Sequence, residues 1–87
     1  MAKYFNKNLR YIRNLFSVSQ QTLADELRVD RSSISRWEKG EIDTPLDAAL
    51  KIAEYFKIKY EYFFATNLIG KTKEEISEFY FKIKKDK

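Results

Sequence analysis

Apolar residues recur along the chain in short runs of helical spacing, separated by polar breaks. Phe5, Leu9, Ile12 and Phe16 stand at i, i+4, i+7 and i+11, one stripe of a first helix. Ser17-Val18-Ser19 interrupts it. The Ser19 hydroxyl suits the N-cap of a second helix, about Gln20 to Leu27, because it can accept the free backbone N–H groups of the next turn. Leu23, Ala24 and Leu27 face inward there, and Val29 is a lone apolar peg in the turn that follows. Asp30 reads as the cap of a third helix, about Arg31 to Lys39, with Ile34 and Trp37 inward. Gly40 supplies the left-handed residue that ends it cheaply.

After the loop "EIDTP", Thr44-Pro45 signals a restart: a capping hydroxyl, then proline at the first helical position. Leu46, Ala49, Leu50, Ala53 and Phe56 are the predicted inner stripe of this fourth helix. "KYEYFFA" predicts a short fifth helix, and "TNLIG" reads as a linker. Thr72-x-x-Glu75 is a capping box opening a sixth helix, "KEEISEFYFKIKK". The fold class is therefore all-α. A five-helix domain over residues 1–67 is followed by a linker and an additional C-terminal helix over residues 68–87.

Two short helices joined by a tight turn, the second projecting polar side chains, form a helix-turn-helix. Ala24 sits where the two helices cross closely, and a larger side chain would push them apart. Arg31, Ser32, Ser35 and Arg36 remain outward on the third helix, flanked by Ser33 and Lys39. Such side chains suit a DNA major groove, since arginine bonds guanine bidentately and serine allows close approach. The plainer reading, solvated surface charge, is outweighed by the motif. Trp37 falls in the apolar series and belongs to the core rather than to base stacking, as does the aromatic-rich "YEYFF".

Composition narrows the chemistry. At 87 residues and 44% hydrophobic, this is one small domain. With no cysteine and no histidine there is no disulfide, no thiolate zinc site, and neither the commonest metal ligand nor the commonest general base. No EF-hand spacing, phosphate loop or nucleophile–base pair is visible, so neither an enzyme nor a cofactor is expected. No apolar run approaches the ~20 residues that cross a bilayer, so no membrane contact and a cytoplasmic location are expected. The net charge of +4 is uneven: residues 1–40 hold eight Lys/Arg against four acids, and residues 41–70 hold three against five. The basic side lies with the helix-turn-helix and suits a polyanion.

The segment "LRYIRNLFSVSQQTLADELRVDRSSISRWEKGEIDTPLDAALKIAEYFKI" resembles the lambda-repressor-type (Cro/C1, xenobiotic-response-element type) helix-turn-helix family of phage repressors and small bacterial regulators. The resemblance covers roughly residues 5 to 66, carried jointly by Arg13, "SQQTLA", "VDRSSISRWEKG", Pro45 and "LKIAEYF". It implies a five-helix domain whose third helix reads double-stranded DNA, usually as a homodimer. By position, Arg31, Ser32 and Arg36 fall where members touch base edges. Gln20 falls where a glutamine grips a phosphate beside a helix N-terminus, and Ser19, Ser35 and Lys39 are further backbone contacts. Arg13 and Glu38 occupy the positions that form a structural ion pair in relatives.

Two departures stand out. Arg28 occupies a turn position where members often have glycine, and Glu41 and Asp43 stand where many relatives place basic residues against phosphates. The expected function is sequence-specific transcriptional regulation, most often repression by occluding a promoter. The alternative is a protein-interaction module, such as an antitoxin neutralising a protein partner. Ile76, Phe79, Tyr80 and Ile83 lie at i, i+3, i+4 and i+7 of the sixth helix. Packing on their own domain and dimerisation both fit this stripe, and dimerisation is the preferred reading because a five-helix core is already complete.

Overall fold

The computed structural model describes residues 4–80 of the chain. Among the described residues six α-helices follow in order: α1 (Phe5–Leu15), α2 (Gln20–Leu27), α3 (Arg31–Lys39), α4 (Leu46–Phe56), α5 (Tyr60–Ala65) and α6 (Lys73–Ile76). A single 3-10 turn, Ser77–Phe79, follows α6. Among the described residues the only strand-like feature is an isolated antiparallel bridge between Ile58 and Tyr80.

Local chemistry fixes most boundaries. The Ser19 hydroxyl accepts the Thr22 N–H at 2.9 Å, capping α2. Arg28 ends that helix in the left-handed region (φ 60°), its turn closed by Val29 N–H donating to the Ala24 carbonyl at 3.0 Å. The turn thus keeps the left-handed geometry that glycine usually supplies, and arginine bears a strain of about 1 kcal/mol there. Gly40 ends α3 at φ 74°, and a Cβ added there would stand 3.0 Å from the Asn6 side-chain nitrogen. Glycine adopts this conformation without steric cost, and a larger residue would also require the Asn6 side chain to shift. Asp30 occupies the N-cap of α3 without making a side-chain capping bond. At α4 the cap position is Pro45 and the first helical residue Leu46, one residue later than the Thr44-Pro45 signal suggests.

The core gathers Phe5, Leu9, Ile12, Leu23, Ala24, Ile34, Trp37, Ile52, Ala53 and Phe63 among others, all buried. Trp37 is core, as its place in the apolar series implies. Phe63 closes the core from α5, its ring centroid 4.9 Å from that of Phe5 and 6.4 Å from that of Phe56. In α4 the buried stripe is Ala49, Ile52, Ala53 and Phe56. Leu46 and Leu50, expected inward, are instead 62% and 46% exposed. Leu50 lies one residue beyond Ala49, about 100° around the helix from the stripe, and Leu46 sits in the first turn beyond the core's edge.

The segment after Asn67 differs most from expectation. Leu68 and Ile76 are fully buried in the same core, so residues 68–80 are not a linker and a separate helix appended to a finished domain. Asn8, itself fully buried, holds this segment: its amide nitrogen donates to the carbonyls of Phe63 (2.8 Å) and Thr66 (2.7 Å), and its oxygen accepts the Leu68 N–H (3.0 Å). The Tyr11 hydroxyl donates to the Lys71 carbonyl at 2.7 Å. The Thr72–Glu75 capping box forms, but α6 lasts only to Ile76. Beyond the 3-10 turn the chain extends at Tyr80, with Lys59 N–H donating to the Phe79 carbonyl at 2.8 Å.

The expected dimer stripe is therefore not one helical face. Ile76 is sealed in the core, Phe79 packs half-buried on Tyr62 with centroids 4.9 Å apart, and Tyr80 pairs with Ile58. Ile76 commits all of its apolar surface to its own domain, and Phe79 and Tyr80 commit part of theirs. Ile83 lies outside the described residues.

Candidate nucleic-acid interface

The helix-turn-helix is built by α2 and α3, with Leu23, Ala24, Leu27, Ile34 and Trp37 turned inward and Val29 half-buried in the turn. With those positions committed to the core, helical geometry turns the opposite face of α3 outward. Arg31, Ser32, Arg36 and Lys39 are exposed on it, and Ser35 is half-buried. Residues 31, 32, 35, 36 and 39 stand at i, i+1, i+4, i+5 and i+8, a continuous stripe along the helix. Its two arginines, five residues apart, offer planar guanidinium forks, and its serines leave room for close approach.

Behind this stripe lies a charged network. Arg13 of α1 donates from Nε to Glu38 Oε2 at 2.5 Å and from Nη2 to Oε1 at 3.1 Å, while its Nη1 donates to the Val18 carbonyl at 2.9 Å. The side chains are 11% and 3% exposed, so the structure brings these two residues together as a nearly buried, forked ion pair. Gln20 Nε2 donates to the same Glu38 oxygen at 3.1 Å. Arg31 Nη1 in turn reaches Gln20 Oε1 at a long 3.5 Å. No buried side-chain polar atom among the described residues lacks a partner.

Gln20 therefore links the buried pair to the first residue of α3. Its side chain, expected on a phosphate, is engaged within the protein, while first-turn N–H groups of a helix have no partner inside it and point outward. Ser19 is exposed at the head of α2, with its hydroxyl already shared between the Thr22 N–H and the Thr22 hydroxyl.

Where α1, α2 and α3 meet, an open polar cleft of about 270 Å³ is lined by Arg10, Arg13, Asn14, Gln20, Ser35, Glu38 and Lys39. It brings together three of the four residues expected on the DNA backbone: Gln20, Ser35 and Lys39. Arg10 and Asn14, both exposed on α1, are additions that sequence reasoning missed. The available signal was Arg10 lying one turn before Arg13 in a basic segment. With Glu38 neutralised by Arg13, exposed Arg10 and Lys39 give the mouth of the cleft a positive balance suited to an anion.

Among the described residues no acidic cluster could hold a metal ion, and no helix is long and apolar enough to cross a membrane.

A family model described as helix-turn-helix matches residues 9–63. An "uncharacterized HTH-type transcriptional regulator" of Methanocaldococcus jannaschii is 43% identical over 53 residues, 61% of this chain and 80% of that protein. The "HTH-type transcriptional activator BcrR" of Enterococcus faecalis is 32% identical over 54 residues, 62% of this chain but 26% of that protein. No solved structure gives a significant match.

Proposed function

The chain belongs to the Cro/C1-type helix-turn-helix family of DNA-binding transcriptional regulators, and from that premise we propose that it binds specific sites in double-stranded DNA by laying α3 in the major groove. Arg31, Ser32 and Arg36 then meet base edges. Ser19, Gln20, Ser35 and Lys39 meet the phosphate backbone, joined by Arg10 at the cleft. One observation carries this reading: an exposed Arg/Ser stripe on α3 is backed by a satisfied, nearly buried network of Arg13, Glu38 and Gln20. Fixed side chains lose less freedom on binding, which favours recognition of one geometry over many.

A single recognition helix covers only a few base pairs, so a two-fold homodimer on a two-part site is part of the proposal. Such a dimer on a promoter would act by occlusion in the cytoplasm, as a repressor. The activator name of one relative makes the position of the site relative to the transcription start the deciding observation. Selection of bound sequences from a random duplex pool tests the reading. A recovered motif of two symmetric halves supports it, and recovery of no motif at any salt concentration overturns it.

A further inference from the structure

Most of the chain's net charge lies outside the helix-turn-helix. Residues 1–80 hold thirteen Lys/Arg against twelve acids, whereas residues 81–87, "FKIKKDK", hold four lysines against one aspartate. Three of the four net positive charges therefore follow Tyr80. A nearly neutral body attracts a polyanion only weakly, so a block of charge this concentrated contributes much of the attraction.

The fold fixes where that block begins. Tyr80 pairs with Ile58 and lines an open groove of about 310 Å³ together with Phe16, Val18, Tyr55 and Lys57. Val18 directly precedes Ser19, the cap of α2. Lys57 and Lys73 are exposed on the same flank, the Lys73 ammonium lying 5.6 Å from the centre of the Phe16 ring.

We propose that Lys82, Lys84, Lys85 and Lys87 bind the phosphate backbone of the duplex that flanks the site read by α3, on the side of the α1–α2 turn. The inference rests on the DNA-binding reading and adds to it a sequence-independent contact beyond the recognised bases. Seven residues extend at most about 25 Å, enough to carry the lysines from the groove at Val18 past the head of α2. Lysine suits such a contact, because its compact ammonium meets phosphate as a point charge and selects no base. The loop after α3 cannot supply the same attraction, since its exposed Glu41 and Asp43 repel phosphates.

Fluorescence anisotropy of the full chain across a salt series tests the proposal. One variant carries Lys82→Gln, Lys84→Gln, Lys85→Gln and Lys87→Gln, and a second carries arginine at the same four positions. Circular dichroism compares their helicity with the parent's. The duplexes are the selected site with about ten flanking base pairs on each side, the same site trimmed to its edges, and a random duplex of the flanked length. The glutamine variant should bind the flanked site and the random duplex at least about tenfold more weakly at about 0.1 M salt, and its slope of log affinity against log salt should be smaller by about two to three. The arginine variant should match the parent. Trimming the flanks should cost the parent a similar factor and the glutamine variant almost nothing.

Equal affinities and slopes for the parent and the glutamine variant would overturn the proposal while leaving base reading by α3 in place. Tighter binding by the glutamine variant would also overturn it, and would mean that the lysines shield the domain from DNA. So would a variant that matches the parent on DNA but no longer sediments with vesicles of anionic phospholipid, which would assign the lysines to a membrane surface. A parent that binds none of the duplexes at any salt concentration would remove the DNA-binding reading itself, and this proposal with it.

Discussion

Arg13 grips Glu38 with two nitrogens, and the two side chains lie almost wholly out of solvent at the junction of α1 and α3. The same carboxylate accepts from Gln20, so one acidic side chain joins three helices. A buried pair of this kind roughly offsets its own desolvation, but losing one partner leaves a charge stranded. Glu38→Ala should therefore destabilise the fold by roughly 3 kcal/mol. For a domain of this size that lowers the thermal midpoint by more than about 10 °C. A midpoint within a degree or two of the parent's, by circular dichroism, would show that the pair carries no such weight.

Specificity should reside on the outer face of α3. Arg36→Ala is expected to cost about 1–3 kcal/mol at the selected site and much less on random duplex. Arg31→Ala should behave alike. Gln20→Ala removes a proposed phosphate contact and the spacer between Glu38 and Arg31, so it should weaken both duplexes without unfolding the protein. Fluorescence anisotropy on both duplexes decides. Equal losses on both from the arginine changes would mean that α3 grips the backbone and does not read bases.

Electrostatics gives a separate readout. Arg10 and Lys39 flank the polar cleft beside α3, and in the proposed binding mode they meet phosphates. Arg10→Ala and Lys39→Ala should each weaken binding to every sequence by a similar factor. Each should also reduce the slope of log affinity against log salt by about one. An unchanged slope for Arg10→Ala would remove that residue from the interface.

Much of this was legible in the sequence. The bounds of α2 and α3 follow from Ser19, Gly40 and an apolar series whose spacing leaves little choice of face. The phase of α4 did not follow. Eight apolar residues in eleven fit more than one stripe, and only packing selected Ala49, Ile52, Ala53 and Phe56 over Leu46 and Leu50. The C-terminal segment was hidden for another reason. Its anchor is a buried asparagine sixty residues upstream, and a polar residue gives no hydrophobic periodicity to read. Likewise the cleft joins residues of three helices, so Arg10 gained meaning only once α1 was set beside α3.

That anchor makes the end of the domain testable. Cutting the chain after Asn67 removes Leu68 and Ile76, two fully buried side chains worth about 1.5–3 kcal/mol each in burial alone. It also leaves the Asn8 oxygen without its donor. The truncated chain should lose cooperative unfolding. Asn8→Ala in the full chain should cost at least about 2 kcal/mol, because two carbonyls and one N–H lose their partner. A truncated protein that melts cooperatively near the parent's midpoint would restore residues 68–87 to the status of an appendage.

The turn between α2 and α3 offers a prediction of opposite sign. Arg28 holds φ 60° with its side chain exposed, and among the described residues no side chain hydrogen-bonds to it to compensate for the strain. The conformation itself is required: it lets the Val29 N–H close on Ala24 and sets α3 across α2. Glycine adopts it without steric cost, though its freer unfolded chain takes back part of the gain. Arg28→Gly should thus stabilise the domain by up to about 1 kcal/mol. That corresponds to a rise of roughly 4–8 °C in the thermal midpoint at most. Binding to the selected duplex at fixed salt should change by no more than the loss of one peripheral positive charge allows, about tenfold or less. If Arg28→Gly lowers the midpoint, the arginine contributes more to the folded state than its strained backbone takes away.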